Sequence, residues 1–202
     1  MVAAARNDSP HDDSSRDDVY DVYLRVPAHL RSEIVRGTLY VMSRPAPKHA
    51  TTASGLGADL YGAFQRGRGG PGGWWIIDEP ELQLVPREPI VPDLAGWRVE
   101  RMPELPDTAC FTLVPDWVCE VLSRSTERLD RDEKLPYYAE HGVRHVWLLD
   151  PIDQRLEVHT LDPATKRWRE VEIHRGEIAV RAAPFDAIEL DLAALWSPPR
   201  RA

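Results

Sequence analysis

The apolar positions of the chain predict a sheet-based α/β domain. Residues 117–122 form an almost continuous apolar run of strand length, the pattern of a central strand that is buried on both faces. Residues 143–150 form a second such run, and the segment between the two runs carries helical signals. We therefore predict a β–α–β unit in this part of the chain.

The helix of this unit is predicted from its two ends. Asp130 and Glu133 have the spacing of a capping box, with Asp130 as the N-cap, and Gly142 fits the residue that follows a helix C-terminus. Pro136 fits only within the first turn, where its missing N–H removes no hydrogen bond. The predicted helix begins after Asp130 and ends before Gly142.

Shorter patterns predict the remaining elements. Arg36 and Gly37 separate two apolar segments, which indicates a hairpin whose glycine supplies a positive φ. The other predictions are a helix over 49–65, a glycine-rich loop over 66–73, strands over 74–77, 81–85 and 91–97, and a peripheral C-terminal β-meander over 156–161, 168–174 and 178–181.

Composition narrows the class of protein. The 202 residues include 33 Asp and Glu, 25 Lys and Arg, and two cysteines. So few cysteines exclude a disulfide-rich secreted scaffold, and we expect a cytoplasmic protein in a reducing compartment, with no membrane segment. The excess of acid argues against a general phosphate-binding surface.

The acidic residues are concentrated near the N-terminus. Residues 1–21 hold six Asp against two Arg, so this segment carries −4 of the formal net charge of −8. Because it has little to bury, it is predicted to be a disordered acidic tail. The expected organisation is this tail, a single domain over 22–197 and a short tail over 198–202.

Glu120 is the first candidate for chemistry, because it interrupts the apolar run of a buried strand. An unpaired buried carboxylate is prohibitively costly, so Glu120 must be neutralised, paired with a cation or bound to a metal. One interpretation is a buried salt bridge to an arginine. We favour a functional site, because strongly perturbed groups in sheet centres tend to mark such sites.

Two further candidates are weaker when each is taken alone. Asp93 follows Pro92 at the start of a predicted strand, where a turn aspartate that accepts backbone N–H groups is the better interpretation. Lys134 lies four residues after Asp130, which is the spacing of an ordinary solvated ion pair. A functional role requires the carboxylates of Asp93 and Glu120 to converge within about 5 Å. It also requires Lys134 to approach Glu120 within roughly 6 Å.

Together, these segments resemble the Uma-two (Uma2) family of the restriction-endonuclease-like PD-(D/E)xK superfamily. The resemblance rests on Pro92-Asp93, on Glu120-Val121-Leu122-Ser123, on residues 130–139 and 142–151, and upstream on residues 33–45 and His49. It covers roughly residues 30–195. It implies a restriction-endonuclease-like α/β fold, with a mixed central β-sheet flanked by α-helices and a phosphodiesterase site at the strand ends.

The resemblance also implies a Mg²⁺- or Mn²⁺-dependent endonuclease that hydrolyses DNA. Asp93 and Glu120 would supply hard oxygen ligands, with the backbone carbonyl of Val121 as the third protein ligand. Lys134 would orient the attacking water or stabilise the developing oxyanion. These three side chains, Asp93, Glu120 and Lys134, are the expected catalytic residues.

Glu33 and His49 would add a supporting carboxylate and a phosphate or water contact. Each has a plain alternative, since Glu33 fits a strand-edge charge and His49 fits a helix start. Leu122 stands two residues after Glu120, where the superfamily has its strand lysine. The resemblance implies that this lysine has moved to the following helix, as Lys134.

Three interpretations of function remain open at this point. The first is the DNA endonuclease, with DNA as its partner, no membrane and a homodimer as one assembly state. The second is a non-catalytic DNA-binding or protein-interaction module that keeps the fold; the acidic balance and Leu122 favour it. The third is cleavage of a small phosphodiester, which suits a weakly basic surface.

Overall fold

A computed structural model describes residues 3–5 and 18–196 of the chain. The predicted tail over 198–202 lies outside the described residues, as does most of the predicted tail over 1–21. Within the latter, the structure places a short strand at Ala3–Ala5 and the start of a helix at Val19.

Strands outnumber helices in the described chain. The helices are α1 (Val19–Tyr23), α2 (Pro47–Leu60), α3 (Leu135–His141) and α4 (Ala193–Trp196), with π-helical segments at Tyr61–Gln65, after α2, and Leu129–Lys134, before α3. The strands are β1 (Ala3–Ala5), β2 (Arg31–Val35), β3 (Thr38–Met42), β4 (Trp74–Asp78), β5 (Leu82–Val85), β6 (Glu88–Ile90), β7 (Leu94–Arg98), β8 (Trp117–Val121), β9 (His145–Asp150), β10 (Arg155–Asp162), β11 (Arg167–Trp168), β12 (Glu172–Arg175), β13 (Ala179–Val180) and β14 (Leu190–Asp191).

The central sheet is mixed, as predicted. Its strand order is β11-β10-β9-β8-β7-β4, with β12 also paired to β10. Strands β8 and β9 are parallel and α3 connects them, which confirms the predicted β–α–β unit. The other neighbouring pairs are antiparallel. Strands β10, β11 and β12 confirm the C-terminal meander, whereas β13 pairs with β14 in a separate small sheet.

Strand β8 is buried on both faces, as its apolar run indicates. Trp117, Cys119 and Val121 belong to one core cluster, which also holds the buried face of α2. Val118 and Leu122 belong to the other cluster, together with buried side chains of α3. Because side chains alternate along a strand, Glu120 points to the same face as Val118, toward α3.

The β2–β3 hairpin follows the prediction closely. Arg36 and Gly37 have φ angles of 51° and 71°, so both central positions of the turn are left-handed. That is the backbone of a type I′ turn, whose twist matches the flanking strands. The register pairs Glu33 with Tyr40.

The prediction that Asp130 caps the helix of the β–α–β unit is wrong. Helical structure already begins at residues 127–128, and the carbonyl of Ser123 accepts the N–H of Glu127. Asp130 therefore lies inside the helix and is buried. The Leu135 N–H donates to the Asp130 carbonyl, five residues back, as in a π-helical turn. The predicted C-terminus is confirmed, since Gly142 has a φ of 82°.

Two findings concern the cysteines and the membrane. Cys110 and Cys119 are both free thiols. None of the helices in the described ranges has the length and apolar character needed to cross a bilayer.

Candidate active site

The pairing of β7 with β8 places two buried carboxylates opposite each other. Leu94 pairs with Cys119, so one further step in this antiparallel register sets Asp93 opposite Glu120. Directly opposed residues of an antiparallel pair share a face, with their Cβ atoms about 5 Å apart. Both side chains are buried, although a carboxylate is unfavourable in an apolar interior.

Both oxygens of Asp93 are engaged. The Val121 N–H donates to Oδ2 at 2.8 Å, and His49 Nε2 lies 3.1 Å from the same atom. Arg31 Nη1 lies 3.3 Å from Oδ1. Burial alone would raise the pKa of Asp93, but the hydrogen bond and charge of His49, together with Arg31 and Lys134, hold it below its usual range. Asp93 is therefore a carboxylate anion at neutral pH.

Within residues 18–196, the contacts that hold Glu120 are made through one oxygen, Oε1. Its Oε1 lies 2.8 Å from Lys134 Nζ and accepts a hydrogen bond of 2.5 Å from the Tyr138 hydroxyl. Burial is the main reason that the pKa of Glu120 rises to about 7, and Lys134 opposes that rise. Since these contacts use Oε1, Oε2 keeps its lone pairs for a further ligand.

Lys134 confirms the predicted approach to Glu120 and is not a solvated lysine. Its side chain is 2% exposed, and Nζ also lies 3.1 Å from Glu33 Oε2. Burial by itself would lower the pKa of Lys134, but the carboxylates of Glu120, Glu33 and Asp130 outweigh it and raise the pKa. The ammonium is thus a permanent positive charge and cannot serve as a proton acceptor.

Glu33 links the lysine to the segment before Asp93. Its Oε2 accepts the Val91 N–H at 3.2 Å as well as lying next to Lys134. The Val91 carbonyl in turn lies 3.4 Å from Lys134 Nζ. Strand β2 therefore positions both the Asp93 loop and the ammonium.

These side chains line one cavity of about 160 Å³. The structure brings together every side chain that the sequence singled out for the site, namely Glu33, His49, Asp93, Glu120 and Lys134. Arg31 and Asp130 also line the cavity. Burial, followed by the charge of Glu120, raises the pKa of Asp130 well above its usual value, and the charge of Lys134 opposes that rise.

Three of the contacting residues, Arg31, Asp130 and Tyr138, were not predicted as part of the site. Asp130, Lys134 and Tyr138 are spaced four residues apart, so a polar stripe on one helix face was the available signal. Arg31 lies two residues before Glu33 on β2, and so points to the same face of that strand. These spacings do not indicate which carboxylates on the strands are in contact with the polar stripe.

The side chains present suit a hard divalent cation. No group of three or more His, Cys, Asp and Glu side chains arranged to hold a metal is found among residues 3–5 and 18–196. Mg²⁺, however, needs only one or two carboxylates and keeps several waters. Asp93 and Glu120 supply these carboxylates. The Val121 carbonyl points to the same strand edge as its N–H, which donates to Asp93.

Comparison with known proteins agrees with this architecture. A crystal structure described as a putative nuclease belonging to DUF820 from Anabaena variabilis superposes with a TM-score of 0.69 at 21% identity, covering 88% of this chain and 97% of that chain. This likeness shows a restriction-endonuclease-like fold. No curated protein matches the chain. The family model Uma2, described as "Putative restriction endonuclease", matches residues 19–193, and the chain therefore belongs to the Uma2 family.

Proposed function

We propose that this protein is a Mg²⁺-dependent endonuclease that hydrolyses DNA phosphodiester bonds. The observation that most strongly supports this proposal is the 2.8 Å contact between Lys134 and Glu120 in the same cavity as Asp93. These residues come from three separate segments of the chain, and each of the three is a charged group that is costly to bury. The family description, a restriction endonuclease, supports a nucleic acid substrate.

In this proposal, Asp93, Glu120 and the Val121 carbonyl would hold Mg²⁺ or Mn²⁺. The bound ion would acidify a water and neutralise charge that builds on the phosphate. Asp93 is ready for this role because its carboxylate stays ionised. His49 and the Val121 N–H fix the orientation of Asp93 through Oδ2.

Lys134 would stabilise negative charge on the phosphate in the transition state. A fixed charge in a site shielded from water is worth more than the same charge in solvent. Because its pKa is raised, Lys134 serves as a cation and not as a general base. Glu33 would position Lys134, and His49, which lines the cavity, would contact a phosphate or a water.

A non-catalytic DNA-binding or protein-interaction module is the second candidate. It is favoured by the engagement of both Asp93 oxygens and by the salt bridges that already satisfy Lys134. The formal net charge of −8 also favours weak rather than strong phosphate binding.

The test is nicking of a supercoiled plasmid in Mg²⁺ and in Mn²⁺, run beside thermal melts with and without Mn²⁺. We expect cleavage by the wild type, none by Asp93→Ala or Glu120→Gln, and a rise in Tm with Mn²⁺ for the wild type. Glu104→Gln is the control, since Glu104 is exposed and lies outside the cavity. Equal cleavage by wild type and Glu120→Gln would overturn the proposal. Mn²⁺-independent melting without cleavage would favour the binding module.

A further inference from the structure

Arg31 lies between two carboxylates at the edge of the cavity. Its Nη1 is 3.3 Å from Asp93 Oδ1 and 3.5 Å from Glu79 Oε1. Its Nη2 also donates to the Val91 carbonyl at 3.4 Å. The side chains of Arg31 and Asp93 are 15% and 6% exposed, whereas that of Glu79 is 40% exposed. The guanidinium therefore has one buried and one accessible anionic partner.

Arg31 occupies the only oxygen of Asp93 that the rest of the site leaves open. Val121 N–H and His49 both contact Oδ2, so a cation ligated by Asp93 would use Oδ1. Such a cation would meet the guanidinium at close range. Two positive charges a few ångströms apart repel strongly where solvent is scarce. Either the cation binds weakly or Arg31 moves.

Glu79 is held where it can receive the displaced guanidinium. Its φ of 44° is left-handed, a conformation that few non-glycine residues adopt. The Glu79 N–H donates to the Asp93 carbonyl at 3.1 Å, which ties the two residues together through the backbone. A small rotation of the Arg31 side chain would strengthen its contact with Glu79 and release Oδ1.

We propose that Arg31 is an exchangeable counter-ion, which neutralises Asp93 in the metal-free site and passes to Glu79 when a divalent cation binds. This inference rests on the proposed function, because it presupposes the cation. It assigns opposite effects to two residues that touch each other. Arg31 opposes cation binding, and Glu79 favours it by accepting Arg31.

The test measures the Kd for Mn²⁺ by calorimetry on the full chain, without DNA. Arg31→Gln should lower the Kd about tenfold, since removing a neighbouring cation relieves repulsion. Arg31→Lys keeps the charge and should stay within about threefold of the wild type. Glu79→Gln should raise the Kd by about threefold, and this penalty should shrink when Arg31→Gln is also present, as expected for coupled residues.

The outcomes separate this inference from the proposed function. If the wild type binds Mn²⁺ and Arg31→Gln binds it no more tightly, the counter-ion role is overturned while the metal site stands. An equal Glu79→Gln penalty in both backgrounds also overturns it, because simple attraction between Glu79 and the cation would then suffice. Absence of Mn²⁺ binding by the wild type and all variants overturns both proposals. If Arg31→Gln does not fold, Arg31→Met, which also removes the charge, replaces it in both the single and the double variant.

Discussion

The ammonium of Lys134 lies 2.8 Å from the carboxylate of Glu120, and both side chains are almost completely buried. The same ammonium lies 3.1 Å from Glu33. Lys134, on the helix that follows β8, thus forms ion pairs with carboxylates from both β2 and β8. Removing this single charge would leave two buried carboxylates without their main counter-ion.

Lys134→Met should therefore lower the free energy of unfolding by about 3–5 kcal/mol, the usual cost of breaking a buried ion pair from one side. Urea unfolding of the metal-free protein measures this loss. Lys48→Met is the matched control, because Lys48 is exposed on α2 and its loss should change stability by about 0.5 kcal/mol or less. Similar losses in the two variants would contradict the role assigned to the buried pair.

The same Lys134→Met variant should lose most DNA cleavage but retain Mn²⁺ binding. Its charge would act on the phosphate, whereas the carboxylates would hold the ion. Plasmid nicking and a Mn²⁺-dependent rise in Tm, measured on one preparation, separate the two effects. Loss of both together would mean that the lysine shapes the metal site itself.

Tyr138→Phe should destabilise the protein by about 1.5–3 kcal/mol, the contribution typical of a hydrogen bond to a charged group. The hydroxyl of Tyr138 donates to Glu120 Oε1, and phenylalanine keeps the packing of the ring. Tyr137→Phe is an unusually close control, since the neighbouring hydroxyl of Tyr137 is buried without a hydrogen-bond partner in the described chain. Chemical denaturation should show little or no loss for Tyr137→Phe, and the reverse order would refute this account.

Glu157 should make stability depend on acid pH. Burial opposes ionisation, but the two 2.8 Å hydrogen bonds from Arg131 outweigh it and lower the pKa of Glu157 below its usual range. Because the pKa is lower in the folded state, this contribution is complete at neutral pH and is lost as the pH falls below about 4.5.

Glu157→Gln should cost about 1–3 kcal/mol at pH 7 and should flatten the decline in stability between about pH 5 and pH 3. Unfolding curves at a series of pH values measure both effects. The exposed Glu104→Gln variant should follow the wild-type profile. A Glu157→Gln profile parallel to that of the wild type would show that the carboxylate does not titrate as described.

Two glycine-to-alanine substitutions should change the stability of the protein in opposite directions. Gly142→Ala places a side chain at a φ of 82° and should destabilise by about 1 kcal/mol. Gly62→Ala lies in a helical segment where an added Cβ meets nothing within 4 Å, and it should stabilise by up to about 1 kcal/mol. The change in Tm of each variant, measured by thermal melts, gives the direction of its effect. A stabilising Gly142→Ala would contradict the left-handed C-terminus of α3.

Local patterns were enough for several elements. The β2–β3 turn and the Gly142 terminus depend on the φ preferences of one or two residues, and β8 depends on an apolar run long enough for one strand. Glu120 could also be found without a structure, because a carboxylate in such a run must have a partner. The start of the helical segment before α3 was predicted wrongly. Asp130 is a residue type that is common at N-caps, but it lies inside the helix and lines the cavity.

The sequence by itself determined the β2–β3 hairpin, the β–α–β unit and the one carboxylate, Glu120, that could not be buried without a partner. Taken alone, Lys134 and Asp93 were better explained as a solvated lysine and a turn aspartate, and only the family resemblance joined them to Glu120. Tertiary structure decided their surroundings, because partners depend on strand order and register. Pairing of β7 with β8 sets Asp93 opposite Glu120, and the helix packed on that face delivers Lys134 and Tyr138. Periodicity states which face a side chain occupies, but not what lies across from it.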